Sequence, residues 1–379
     1  MYIAFGRSLV SKFIFFALIL ELIIPIATYA DENTLRLLVW EGYAPEKYRI
    51  VFEDMILKKY GRKVTLDVTY VEASEEYYPP IRKKHVDLVT LTHHHFKDDR
   101  FNYISNGLLL PLDIKNIPRF QEVISSLRDA SYLRSNKNVF GVPICQGLYA
   151  LVYNLDKVKT VPTSWNVLWA NKYKGKYVLG AKEYLYNVCT TGLAMELPVE
   201  FLSSFDKLNN ETFKKKLRLL AMNAGGFWIG QDKALYLSGK SLSAGWGDGL
   251  SVLRSRDEKW QFAEPKEGSM CWVDSYAITW ALANKPFLKK VAEEWINFLL
   301  TPEFQVDNIV REISQRPTIT TNMPMLSEAE KHKLHIDDPD YFSKNCIMLP
   351  TYTQRDRNGL ELLWEEAMKG IIVETGRKP

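Results

Sequence analysis

The sequence predicts an α/β fold in two domains, and three observations carry that expectation. Strand-like and helix-like segments alternate from residue 35 onward, a pattern of parallel α/β layers whose ligands sit beyond the carboxyl ends of the strands. The stretch from Asp31 to Pro379 is long enough for two domains. A long apolar segment, Gly147 to Asn154, stands where one such unit gives way to the next and can cross between them.

The first 30 residues are set aside from the fold. Arg7 and Lys12 make a short basic start, Phe13 to Ile26 is apolar apart from Glu21 and Pro25, and Ala27-Thr28-Tyr29-Ala30 precedes the polar Asp31. That is the layout of a signal peptide, expected to be cut after Ala30. Glu21 interrupts the run of about 18 apolar residues that a spanning helix needs. No cysteine precedes Cys145, so the expectation is export to the periplasm without a lipid anchor.

The elements follow in order. Leu35 to Trp40 reads as a strand, and Glu41-Gly42-Tyr43-Ala44-Pro45 as a turn. Tyr48, Val51, Phe52, Met55 and Ile56 recur at three- and four-residue spacing, which predicts a helix over 46–60 stopped by Gly61. Val64 to Tyr70 and residues 86–91 are the next strands. Trp40 to Tyr43 and Thr92 to His95 thus lie at two carboxyl ends. Thr163 to Lys176 opens a fresh α/β unit, followed by a helix over 211–222, strands at Ser241 to Trp246 and Cys271 to Ile278, and an amphipathic helix from Phe287 to Leu300.

Composition excludes several function classes. With 46% hydrophobic and 25% charged residues the chain is globular, not disordered. Its net charge of +4 is small and interspersed, without the basic stripe that nucleic acid requires. Four scattered cysteines, Cys145, Cys189, Cys271 and Cys346, form no C-x-x-C pair and predict no zinc site; an oxidising compartment permits one or two disulfides without requiring them. No nucleophile elbow, phosphate loop, H-E-x-x-H or dinucleotide fingerprint is present. The expectation is a protein that performs no chemistry and needs no cofactor.

Two clusters remain. In an extended His93-His94-His95 only the outer two imidazoles would share a face, too few for a metal, so the reading expects no metal and one imidazole at a cleft rim. In Cys271-Trp272-Val273-Asp274-Ser275 a strand would put Trp272 and Asp274 on one side, pairing an aromatic face with a carboxylate. That combination suits an ammonium group, by cation–π attraction and charge-assisted hydrogen bonds. The bland reading is a core tryptophan beside a turn-capping aspartate.

Three segments carry a resemblance. Leu38-Val39-Trp40-Glu41-Gly42-Tyr43-Ala44-Pro45, Thr163-Ser164-Trp165-Asn166-Val167-Leu168-Trp169 with Tyr173-Lys174-Gly175, and Pro265-Lys266-Glu267-Gly268 leading into Trp272-Val273-Asp274-Ser275 resemble the periplasmic spermidine/putrescine-binding proteins of ABC transporters, and Asn297-Phe298-Leu299-Leu300 fits the same pattern. The resemblance implies a two-lobe periplasmic-binding-protein fold with crossing hinge strands and an interlobe ligand cleft, with 31–146 plus about 275–319 in one lobe and 147–274 plus about 320–379 in the other. It implies a monomer that captures a polyamine or related small amine for an ABC permease; a membrane-bound sensor is the alternative partner. Trp40 and Tyr43 would line one wall, Thr92 and His94 the next loop, and Trp246 the second lobe. Trp272 and Asp274 would hold an amine, with Gln354 contacting the ligand from ten residues before Trp364.

The departures from that pattern point elsewhere. The carboxylates that grip the far amine in the family are matched here by Lys182 and Leu185, with Glu183 adjacent, and Arg316 replaces a tyrosine before Pro317-Thr318. Gly42 stands at an acidic position. An apparent change of sign at the far end implies a zwitterion, an amino acid or aminophosphonate, with its amine at Asp274 and its anion at Arg316. The rival expectation is that Lys182 turns into solvent and Glu183 or Glu41 takes the amine.

Overall fold

Two β-sheets, each with its own apolar core, organise the chain in this computed structural model, which describes residues 32–319, 323–336, 341 and 345–373. The expected signal peptide lies outside the described residues. The described residues from Asn33 onward form one compact unit.

The first sheet starts as the sequence predicts. Strand β1 (Thr34–Trp40) leads through the Pro45 turn into helix α1 (Glu46–Tyr60). Gly61 ends that helix in the left-handed conformation that glycine adopts without steric cost, donating back to the Leu57 carbonyl. Strands β2 (Thr65–Val71) and β3 (Leu88–Thr92) pair in parallel on either side of β1. Asp87, fully buried before β3, is held by the Arg36 guanidinium at 2.7 Å. Here the first difference arises: β3 ends at Thr92, and the three histidines begin a short helix α2 (His93–Phe96) closed by a capping box, not an extended loop. All three are buried.

A small hairpin, β4 (Arg134–Ser135) with β5 (Asn138–Val139), precedes β6 (Val142–Leu148). The chain then crosses at Tyr149 into the second sheet. That sheet runs β11-β7-β10-β8-β9, from β7 (Ala150–Asn154), β8 (Tyr177–Gly180), β9 (Phe227–Trp228), β10 (Leu242–Gly245) and β11 (Trp260–Ala263). Helices α3 (Tyr184–Ala194) and α4 (Glu211–Asn223) pack into its core. The chain returns along β12 (Ser269–Ile278), ten buried residues flanked by β6 and β3 and, at the start, by β13 (Cys346–Met348). Helix α5 (Pro286–Leu299) and a π-helical segment, Phe304–Glu312, complete the first lobe, and α6 (Gln354–Met368) packs on the second.

The lobe limits therefore differ in detail from the expected ones. β12 joins the first sheet from Ser269, not from about 275, because its whole length pairs with β6, β3 or β13. Leu326 and Leu334 pack on Val306 and Val310 of the first lobe, and β13 pairs there too. Three crossings result, at Tyr149, after Ala263 and after Met348, and they are tied together. Tyr149 donates its N–H to the Met270 carbonyl at 2.7 Å, and a disulfide joins Cys271 to Cys346. Cys145 and Cys189 are buried free thiols.

Candidate ligand-binding site

A cavity of about 600 Å³, including its open mouth, lies where the carboxyl ends of β1 and β3 meet β12 and the second lobe. Because β1 and β3 run parallel, their ends deliver Trp40, Glu41 and Tyr43 from one strand and Thr92 and His94 from the other. β12 runs antiparallel to β3 with Asp274 opposite Thr92, and its two-residue period turns both Trp272 and Asp274 into the space. Glu183 and Tyr186, at the start of α3, and Trp246 and Asp248, just after β10, close the other side.

Asp274 is the centre of this arrangement. It is 5% exposed, Tyr43 donates its hydroxyl to Oδ2 at 2.7 Å, and Oδ1 has no hydrogen-bond partner among the described residues. A buried oxygen left in that state costs free energy until a donor reaches it. Burial raises the carboxyl to about 6, against the neighbouring Thr92 and Tyr43 hydroxyls, which favour its charged form. Around it the rings stand edge to face: Trp246 meets Trp272 at 6.0 Å and 88°, and Tyr186 at 4.7 Å and 88°. Gly147 lies where a Cβ would come within 2.4 Å of both the Trp272 ring and Gln315 Oε1. A side chain there would displace the indole.

Charge in the cavity has one sign. Glu41, Glu183, Asp248 and Asp274 line it, and among the described residues that do so none is lysine or arginine. Burial raises Glu183 to about 8, helped by Glu75. His94 is held neutral, its value lowered by burial and then by His95. Contacts between the lobes close the rim: Gln231 donates to the Glu41 carbonyl at 2.8 Å, and Lys233 pairs with the Glu41 carboxylate at 2.5 Å. Gln315 donates to the Trp246 carbonyl at 2.8 Å.

Of the residues singled out from sequence, Trp40, Glu41, Tyr43, Thr92, His94, Glu183, Trp246, Trp272 and Asp274 come together here. Three do not. Arg316 is buried outside the cavity, donating to the Leu334 carbonyl at 2.5 Å and facing the Tyr341 ring, because in extended chain it points away from its neighbour Gln315, which faces in. Lys182 is exposed and lines only a side chamber. Gln354 is exposed on the first turn of α6; one turn on, Arg357 is buried, paired with Asp98 at 3.2 Å, and reaches that chamber. The expected reversal of charge at the far end therefore has no cation in the cavity to rest on. Sequence reasoning missed Tyr186, Asp248 and Gln315, which reach the cavity only through the meeting of the lobes.

Residues 83–345 match the family model described as bacterial extracellular solute-binding protein. The chain belongs to that family. As in the resemblance read from sequence, relatives of this solute-binding protein include the spermidine/putrescine-binding periplasmic protein of Escherichia coli strain K12, 25% identical over 288 residues, covering 73% of this chain and 76% of the relative. Among solved structures, a spermidine/putrescine ABC transporter protein from Listeria monocytogenes superposes with a TM-score of 0.75 at 18% identity, over 89% of this chain and 99% of the other. A structure described as a GABA receptor superposes at 0.65 with 14% identity, over 90% and 100%. The fold of this solute-binding protein is thus the two-lobe periplasmic-binding-protein fold. No helix among its described residues is long and apolar enough to cross a membrane.

Proposed function

We propose that this solute-binding protein captures a cationic polyamine in the interlobe cavity and hands it, as a monomer in the periplasm, to an ABC permease, with no reaction on the ligand. The observation that carries this is the lining: four carboxylates, five aromatic rings and no lysine or arginine among the described residues. Trp40, Tyr43, Tyr186, Trp246 and Trp272 bring aromatic rings to the cavity, a lining suited to ammonium groups and their methylenes, and Asp274 Oδ1 lacks a donor among the described residues. The names of the relatives, spermidine/putrescine-binding proteins, support the same ligand class. A zwitterion would bring its carboxylate among like charges, an arrangement that costs several kcal/mol.

Affinity should depend on pH. The ligand amines stay protonated well above neutrality, but the carboxyl of Asp274, raised to about 6, must lose its proton to accept them. Between pH 7 and pH 5 its ionised fraction falls about tenfold, and putrescine affinity should fall at least that much. Glu183, at about 8, adds to the slope. The fold should survive the change through these groups: a carboxyl whose value is raised on folding contributes stability at low pH that is lost as pH rises, not the reverse. Calorimetry at the two pH values reads this directly. Equal or tighter binding at pH 5 would remove the carboxylates from the ligand contact.

A further inference from the structure

A short arch, Ile313-Ser314-Gln315, leaves the first lobe, reaches across to the second and returns. Both of its ends are fixed in the first lobe. At the end of the π-helical segment Ile313 donates its N–H to the Asn308 carbonyl at 3.0 Å and Gln315 donates to that of Ile309 at 2.8 Å; Arg316 then exchanges backbone hydrogen bonds with Gln146 of β6 at 3.0 and 3.2 Å. Gly42 makes room for the arch, since a Cβ there would come within 2.9 Å of Ile313 Cγ2. Ile313 and Gln315 face the cavity.

The middle of the arch is tied to the second lobe. Ser314 is buried and takes φ +57°, the left-handed conformation that a residue with a side chain adopts only where its surroundings enforce it. Its hydroxyl accepts from Arg254 Nη2 at 3.1 Å, on the short helix Leu250–Ser255. Gln315 Nε2 donates to the Trp246 carbonyl at 2.8 Å and to Asp248 Oδ1 at 3.3 Å. One strained turn thus makes three bonds across the cleft. Arg254 stands outside the cavity lining, and among the described residues no carboxylate engages it.

We propose that this arch is a closing latch and that Arg254 is its positioning residue. By holding the Ser314 hydroxyl, Arg254 keeps the strained turn in place, and Gln315 then fixes the wall that carries Trp246 and Asp248. These bonds form only where the lobes meet, so they favour the closed arrangement by the same amount whichever amine the cavity holds. Charge alone makes the opposite prediction. Arg254 is a cation on the lobe that bears Asp248, and if only its field reached the cavity, neutralising it would tighten the binding of an amine.

The test is Arg254→Met, which keeps the apolar stem and the helix propensity and removes the donor. Ser314→Ala removes the acceptor, and the double variant removes both. Each is titrated with 1,4-diaminobutane and with spermidine. Arg254→Met should weaken both ligands by one common factor of about three to ten, a moderate loss because Arg254 is exposed to water. Ser314→Ala should do the same, the double variant should lose no more than either single one, and Arg254→Lys, which restores a donor, should recover most of the affinity. Tighter or unchanged binding in Arg254→Met, or losses that differ between the two ligands, would overturn the latch; should that variant fail to fold, Ser314→Ala carries the same outcomes. A wild-type chain that binds neither polyamine would overturn the cation reading of the cavity. The latch is then decided by small-angle scattering of the ligand-free chain, where Arg254→Met should raise the radius of gyration and an unchanged radius would overturn the latch as well.

Discussion

Replacing Asp274 by asparagine should nearly abolish ligand binding while leaving the fold in place. The amide keeps an oxygen to accept the Tyr43 hydroxyl, and loses a buried charge that costs solvation, so thermal stability should not fall. What disappears is the anionic partner of the ligand ammonium. Removing one member of a buried, hydrogen-bonded charge pair costs about 2 to 5 kcal/mol. In affinity that is roughly 30-fold to several thousand-fold. Calorimetry on the folded variant measures it, and unchanged affinity would make Asp274 a structural residue.

The second large effect falls on stability. The disulfide Cys271–Cys346 spans 75 residues of sequence, and closing a loop of that size in the unfolded chain is worth about 4 kcal/mol in the chain-entropy account. For a chain of this length that corresponds to about 5 °C in Tm. Because Cys145 and Cys189 are already free, a reductant acts on this one bond among the described cysteines, and unfolding the oxidised and reduced forms side by side isolates it. The double variant Cys271→Ser, Cys346→Ser should match the reduced protein. Identical unfolding temperatures would mean that β13 is held to β12 by its ladder alone. Since Cys271 adjoins Trp272, reduction should also loosen the strand that presents Trp272 and Asp274.

Much of this arrangement was legible in the sequence, for reasons that can be named. Helix α1 carries a three-and-four-residue apolar period with a proline before it and a glycine after it, and its limits were read to the residue. Strand alternation put Trp272 and Asp274 on one face, but only the family resemblance singled them out from a core tryptophan beside a capping aspartate. Helix α3 was not legible, since all eleven of its residues are buried and it has no polar face to reveal a period. Arg316 misled for the reason that makes strands readable: one position decides which side a residue takes, and Gln315 has the inward side. Gln354 is exposed on the first turn of α6, and Arg357, one turn on, faces the side chamber and not the cavity. Asp248 sits in a glycine-rich turn that reads only as a loop. Its relation to Asp274 exists only across two lobes that are distant in sequence.

Selection of positive charge by the cavity is read in a calorimetric titration of the ligand-stripped protein at pH 7 with spermidine, 1,4-diaminobutane and γ-aminobutyrate. The two polyamines should bind, and γ-aminobutyrate should bind at least about a hundredfold more weakly, the factor that about 2.7 kcal/mol of like-charge repulsion corresponds to. Tighter binding of γ-aminobutyrate than of either polyamine would contradict that selection.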